Sequence, residues 1–420
     1  MNTSTSTAPS SLPLPATPLP IAVAAPPVAI PVLRPLSRGA PLALRWRTMA
    51  QVGLRMMFHD KLKMLGTLIG AVFAVVLSNQ QAGTFMGLIY KNIMFVDQTA
   101  ADLWIAPPST EQFVAGKAIS TAALMQARGT PGVVWAEPLL VGGASVALPD
   151  GGSEAVTLIG TKLSRLAGGP WNQVAGSAAS LTRADTMIFE DSEREKLGGL
   201  NLGSVREVNG HRTFVGGFTW GLLPFGPSYA FADFEYAQLL LHLASDQTNF
   251  VLVGVAPGTD VHAVQTELQR RAPETKVMTK AEYRGSIIRY LLTKSPIGIT
   301  FGTSTLFGLI VGFVIVALSM FSAVVDNLRE FGTLKAIGAT TWDLAKLLLV
   351  QSVAYAWIGS LIGLALVTRI AEGIRSPKLA VILPPELLIG TTILMTFLCI
   401  AASSLALLRI RKVEPAMVFR

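Results

Sequence analysis

Cysteine is almost missing from this chain: Cys399 stands alone among 420 residues, and the four histidines, His59, His211, His242 and His262, are scattered. A lone cysteine excludes a disulfide within the chain, so any domain outside a reducing compartment has to stand on its own core. Set in an apolar run, Cys399 reads as a small packing residue rather than a reactive thiol. The histidines lack metal-ligand spacing. No G-x-x-x-x-G-K-S/T, H-E-x-x-H, C-x-x-C or G-x-S-x-G occurs. The chain therefore offers no phosphate-cradling loop and no hydrolase or metalloenzyme motif of its own. No catalytic residue, metal or cofactor is expected.

Charge is scarce as well. Charged residues make up 14% of the chain, against about 25% in soluble domains. Four runs, 64–90, 297–325, 347–368 and 387–408, hold none at all. Each is long enough to cross a hydrocarbon core, which takes about 20 apolar helical residues. The intramembrane carboxylates or histidines that proton-coupled carriers use as relays are missing from these runs. That argues against a secondary transporter and against a channel with a charged filter. The net charge of +8 would raise nucleic acid as a partner for a soluble protein. Here cations flank the runs instead: Arg45, Arg47, Arg55, Lys61 and Lys63 before the first, Arg409, Arg411, Lys412 and Arg420 after the last. Membrane anchoring is expected, and no nucleic acid.

The expected fold is an α-helical membrane protein with four transmembrane helices and a large extracytoplasmic mixed α/β domain between helices 1 and 2. Residues 1–44, with ten of the 25 prolines, read as a Pro-rich disordered cytoplasmic arm. Residues 45–63 read as an amphipathic helix in the membrane interface, with Trp46, Met49, Leu54, Met57 and Phe58 on one face; an early start of the first span is the plainer alternative. Residues 64–90 are transmembrane helix 1 and a stalk, leaving the bilayer near Asn79. Residues 91–285 are the α/β domain. In it DLWIAP, VVWAEPLLVGGASVAL and EAVTLIG read as strands. Asn209-Gly210 between alternating residues signals a hairpin. FADFEYAQLLLHL reads as a helix, TNFVLVGVAPGTD as a buried strand, and DVHAVQTELQRRAP as a helix capped by Thr259 or Asp260. A returning stalk and helix 2 (286–325), a cytoplasmic loop (326–346), helix 3 (347–368), a short external loop (369–386), helix 4 (387–408) and a cytoplasmic tail (409–420) complete the chain. The flanking cations put both termini and the 326–346 loop inside.

Within that loop Leu328, Phe331, Leu334 and Ile337 recur every third residue and form one apolar stripe, with Arg329, Glu330 and Lys335 off it. Gly332 and Gly338 read as places where another backbone can approach. Thr340 or Thr341 can cap the helix that follows, with Asp343 in its first turn. A short helix with an apolar stripe is built to dock on something; resting on lipid headgroups is the blander reading. The spans also carry the G-x-x-x-G pairs Gly66/Gly70, Gly83/Gly87, Gly298/Gly302, Gly308/Gly312 and Gly359/Gly363. These predict tight helix packing, within the chain or in a dimer.

Architecture and motif together resemble the FtsX-like ABC transporter permeases of the MacB type. LREFGTLKAIGAT is similar to that family's connector motif, and KVEPAMVFR to its closing segment. DLWIAPPSTEQF and LVGVAPGTD resemble the DevC branch. The resemblance implies a homodimeric inner-membrane permease whose connector docks in a separate ABC ATPase that binds ATP and Mg. It also implies a periplasmic adaptor and an outer-membrane channel, with motion sent through the stalks to drive export. Residue by residue, Glu330, Gly332, Lys335, Gly338 and Ala339 match the motif; Phe331, Leu334 and Ile337 are the apolar contacts expected to bury against the ATPase. Extraction of a lipid or haem from the bilayer, or FtsX-like regulation of a periplasmic hydrolase, are the alternatives.

Overall fold

A computed structural model describes residues 42–59, 61–113, 116–224, 226–374 and 381–411. The Pro-rich arm up to residue 41, the tail from 412 and part of the 369–386 loop lie outside the described residues, as do the side chains of Trp46, Met49 and Leu328. The chain divides into Met1–Thr48 and Met49–Arg420, and the packing below belongs to the second unit.

Two helices open the described chain, α1 (Leu42–His59) and α2 (Lys61–Gln98). Strands β1 (Leu103–Ala106) and β2 (Ile119–Ser120) lead to α3 (Ala122–Arg128), then β3 (Val133–Ala147), β4 (Ser153–Thr161), β5 (Gln173–Gly176) and β6 (Thr186–Glu190). Next come β7 (Val205–Val208), β8 (His211–Thr219), β9 (Tyr229–Asp233) and α4 (Phe234–Leu240). After β10 (Gln247–Thr248) and β11 (Phe250–Val255) follow α5 (Val261–Arg271), β12 (Lys276–Thr279) and α6 (Lys280–Thr293). The chain then runs through α7 (Pro296–Asp326), α8 (Leu328–Ala336), α9 (Thr341–Ile374) and α10 (Pro385–Arg411). Helices α2, α7, α9 and α10 are long and apolar enough to cross a membrane. Helix α9 runs through Ile374, past the end expected at Thr368, and an Arg369–Glu372 ion pair of 3.7 Å lies along its added turn.

Ten strands form one mixed sheet in the order β12-β1-β11-β3-β4-β9-β6-β8-β5, with β7 bridging β3 and β8. The β4–β9 and β6–β8 pairs are parallel and the other pairings antiparallel. The hairpin at Asn209-Gly210 is there: φ is +47° and +80°, and Val208 pairs with His211. Positive φ at both residues suits a two-residue turn that follows strand twist, and Asn-Gly adopts it at little cost. The FADFEYAQLLLHL segment departs from expectation, because its first residues belong to β9. Ala230, Phe231 and Ala232 are fully buried mid-sheet, and that burial overrides local helix preference. The helix starts at Phe234, where the Asp233 carboxylate accepts from Glu235 N at 3.1 Å. Asp260, not Thr259, caps α5, and Thr279 with Glu282 form a capping box on α6.

The far end of α2 is built into this sheet. Phe95 stacks on Phe113 at 4.2 Å, and Trp104 meets Tyr283 of α6 at 5.0 Å between centroids. Lys280 donates to the carbonyls of Asp97 and Thr99 at 2.9 and 2.8 Å, tying the start of α6 to the end of α2. At the end of β6, Glu190 is fully buried and accepts from Gly221 N at 2.7 Å, Thr219 Oγ1 at 3.0 Å, Ser192 Oγ at 3.1 Å and Leu222 N at 3.2 Å. Helix α2 is unbroken over 38 residues, about 57 Å at the usual helical rise. The return path is broken at Lys294–Ser295, before Pro296, where a Cβ on Gly298 would strike the Leu291 carbonyl oxygen at 1.6 Å.

In the helical layer α2 is central. Toward α7, a Cβ on Gly312 would stand 2.1 Å from the Ala74 Cβ, and one on Gly308 would stand 3.1 Å from Leu77. Toward α9, the same construction at Gly359 and Gly363 meets Ala71 at 2.7 Å and Val75 at 2.8 Å. Both glycine pairs thus serve contacts with α2 of the same chain. Asn79, buried in α2, accepts from Thr391 of α10 at 3.2 Å. Helix α1 docks with Gly53 and Met57 inward, and Gln351 of α9 donates to Gly53 O at 2.9 Å. Its Leu54 and Phe58 stay exposed, so Met57 does not share their outward face.

Candidate coupling connector

Helix α8 and the corner after it hold every residue that the motif singles out. The helix starts as α7 ends, with Phe331 N donating to Asn327 O at 3.0 Å. Lys63 at the foot of α2 pairs with Asp326 at 2.8 Å. The C-terminus is closed by a Schellman arrangement: Ala339 N donates to Leu334 O at 2.9 Å and Gly338 N to Lys335 O at 3.0 Å, with Gly338 at φ +104°. This is the work of Gly338. A Cβ there would meet nothing of this chain within 4 Å, so within the chain it is the left-handed backbone that calls for glycine. Thr340 then caps α9. Its Oγ1 accepts from Asp343 N at 3.2 Å, while its own N and Oγ1 donate to Asp343 Oδ2 at 3.1 and 2.7 Å. Lys346 reaches the other oxygen of Asp343 at 3.5 Å.

The stripe does not point one way. Phe331 is 2% exposed and shares a buried cluster with Met57 of α1, Ala74 of α2, Met320 and Val324 of α7, and Leu344 and Leu348 of α9. Leu334 and Ala339 pack half-buried on the same cluster. Ile337 is 70% exposed. The expectation that Phe331, Leu334 and Ile337 bury together against a partner therefore fails for Phe331, which the chain's own helices enclose. The reason is geometric: a strict three-residue repeat drifts about 60° backward per step on a helix turning 100° per residue. Gly332 is buried, Glu330 and Lys335 are half-buried, and Gly338 is exposed. The residue that sequence reasoning passed over is Trp342, 75% exposed in the first turn of α9. Its signal was available, since a tryptophan among polar residues right after a helix cap has no core of its own to enter. Ile337 and Trp342 thus stand bare at the corner between α8 and α9. Among the described residues no group of three or more His, Cys, Asp or Glu side chains could hold a metal ion.

Residues 302–415, which contain the whole connector, match the family of the FtsX-like permease C-terminal domain. No curated protein matches the chain. Among solved structures, the extracellular domain of the noncanonic ABC-type transporter YknZ from Gram-positive bacteria is similar at 17% identity and a TM-score of 0.34. That comparison covers 42% of this chain and 99% of the other. The periplasmic region of MacB from Actinobacillus actinomycetemcomitans gives 8% identity and a TM-score of 0.36, covering 49% of this chain and 99% of that one.

Proposed function

We propose that this chain is the membrane subunit of an ABC exporter of the FtsX-like, MacB-type class, nearest the DevC branch. It would work as a homodimer in the bacterial inner membrane, both termini cytoplasmic. ATP is hydrolysed by a separate ABC ATPase, and the sheet domain faces the periplasm, where an adaptor and an outer-membrane channel take the substrate onward. The observation that carries this reading is the α8–α9 corner. Ile337 and Trp342 are bare at the corner between α8 and the apolar α9, on a turn whose other side is locked into the chain's own core. An exposed tryptophan beside an exposed aliphatic residue is the composition of an interface anchor, and the family match spans this corner. Glu330 and Lys335 lie where they can meet polar groups at its rim.

Ile337→Asp combined with Trp342→Ala tests it. Losing two such anchors should weaken docking by about 2–4 kcal/mol or more, enough to release the ATPase on co-purification while the permease stays inserted and melts as before. If the double variant retains its ATPase subunit as well as the native chain does, the corner is not the docking element.

A further inference from the structure

The buried side of the connector carries an inference that rests on the docking reading and goes past it. Beside Phe331 lies a cavity of about 30 Å³, room for roughly one water. Its walls come from α1, α2, α7, α8 and α9, and Phe331 is the α8 residue among them. Met56, Met57, Met64 and Met320 line it, four of the 13 methionines in the chain. Methionine has three rotatable bonds and a polarizable sulfur, so it repacks around a moving neighbour at little cost. A close-packed aliphatic core would resist such a shift. An aromatic ring held at 2% exposure by four other helices, next to slack volume with pliable walls, has the form of a joint.

We propose that Phe331 is the positioning residue through which displacement of α8 reaches α2, and that the methionine-lined cavity, one water in size, is the slack that lets the edge of its ring shift while the methionines repack. Docking holds the outward corner; the ring carries the displacement inward. Lys63 at the foot of α2 and Met64 one residue on both line the cavity, and Lys63 is paired with Asp326 at the end of α7. A shift of the ring therefore bears on α2 at its foot.

The test separates a joint from mere packing by filling the cavity. Val324 lines it and is buried, so Val324→Leu adds a methylene there without touching the exposed corner. The full chain, with its ABC ATPase in nanodiscs, carries spin labels at Tyr90 of α2 and Leu292 of α6, both exposed; the readout is the change in label distance on adding ATP. Filling the cavity should raise Tm and leave ATPase co-purification unchanged. The ATP-dependent population shift should fall by about 2- to 30-fold, the range of measured coupling effects. Phe331→Ala should reduce the same shift with the ATPase still bound, and Phe331→Met should restore part of it. If Val324→Leu shows the native distance change, the joint does not exist. Loss of the ATPase on Val324→Leu would equally overturn the proposal, because the cavity would then belong to docking. Failure of the native chain to hold the ATPase would instead sink the docking reading itself.

Discussion

Gly312 of α7 faces Ala74 of α2 so closely that a Cβ on the glycine would stand 2.1 Å from the alanine Cβ. The two helices touch backbone to side chain at that level, as small residues permit in lipid, where dispersion and close approach replace the hydrophobic effect between helices.

Gly312→Ala should therefore destabilise the helical layer by about 1–3 kcal/mol, the usual range for overpacking a filled site. Gly302→Ala is the matched control, since a Cβ there meets nothing within 4 Å, and it should be neutral or slightly stabilising. Thermal melts of the two variants in the same detergent decide the point. Equal melting temperatures would mean that α7 and α2 can part at no cost.

Glu190 yields a pH-dependent prediction. Burial pushes its carboxyl above the ordinary value of 4.5, while bonds from Gly221, Thr219, Ser192 and Leu222 pull the other way. Burial is the larger cause, so the folded protein holds the proton more tightly than the unfolded chain does. Stability from this group is then present at low pH, falls as pH rises from the ordinary carboxylate range through the raised folded value, and is level above it. Glu190→Gln leaves donors facing an amide and should cost about 1–3 kcal/mol. The gap in Tm between native protein and variant should narrow as pH rises above the ordinary carboxylate range. A gap that widens with pH would show that the four bonds outweigh burial.

Topology is open to cysteine labelling in a Cys399→Ser background, Cys399 itself being buried. Single cysteines at Leu202 of the sheet domain and at Ile337 are both well exposed. An impermeant maleimide applied to intact cells should label the first and spare the second. Reversed labelling would invert the proposed orientation.

The spans were legible because they are written as absence of charge, a signal that needs no partner to interpret. The β7–β8 hairpin was legible because Asn209-Gly210 dictates its own backbone. The β9–α4 boundary was not, since Phe231 is placed by strands distant in sequence. Nor was the role of Glu190, whose partner Gly221 lies 31 residues on. In the connector, spacing revealed an apolar repeat but not what covers each member. Phe331 went inward and Ile337 outward because four other helices surround one and none encloses the other. Gly338 was visible, yet its reason, a left-handed corner, depends on where α8 stops. The glycine pairs Gly308/Gly312 and Gly359/Gly363 were equally visible, and nothing in their spacing names α2 as the helix they both meet.

The two limbs that join the membrane helices to the sheet are mechanically unlike. Helix α2 has no break along its 38 residues, so each degree of tilt about its foot sweeps its far end by about 1 Å. The other limb has a knee at Ser295. One limb is stiff along its whole length and the other is hinged, so any tilt of the first would carry its sheet end with it, while the second has a point at which it can bend.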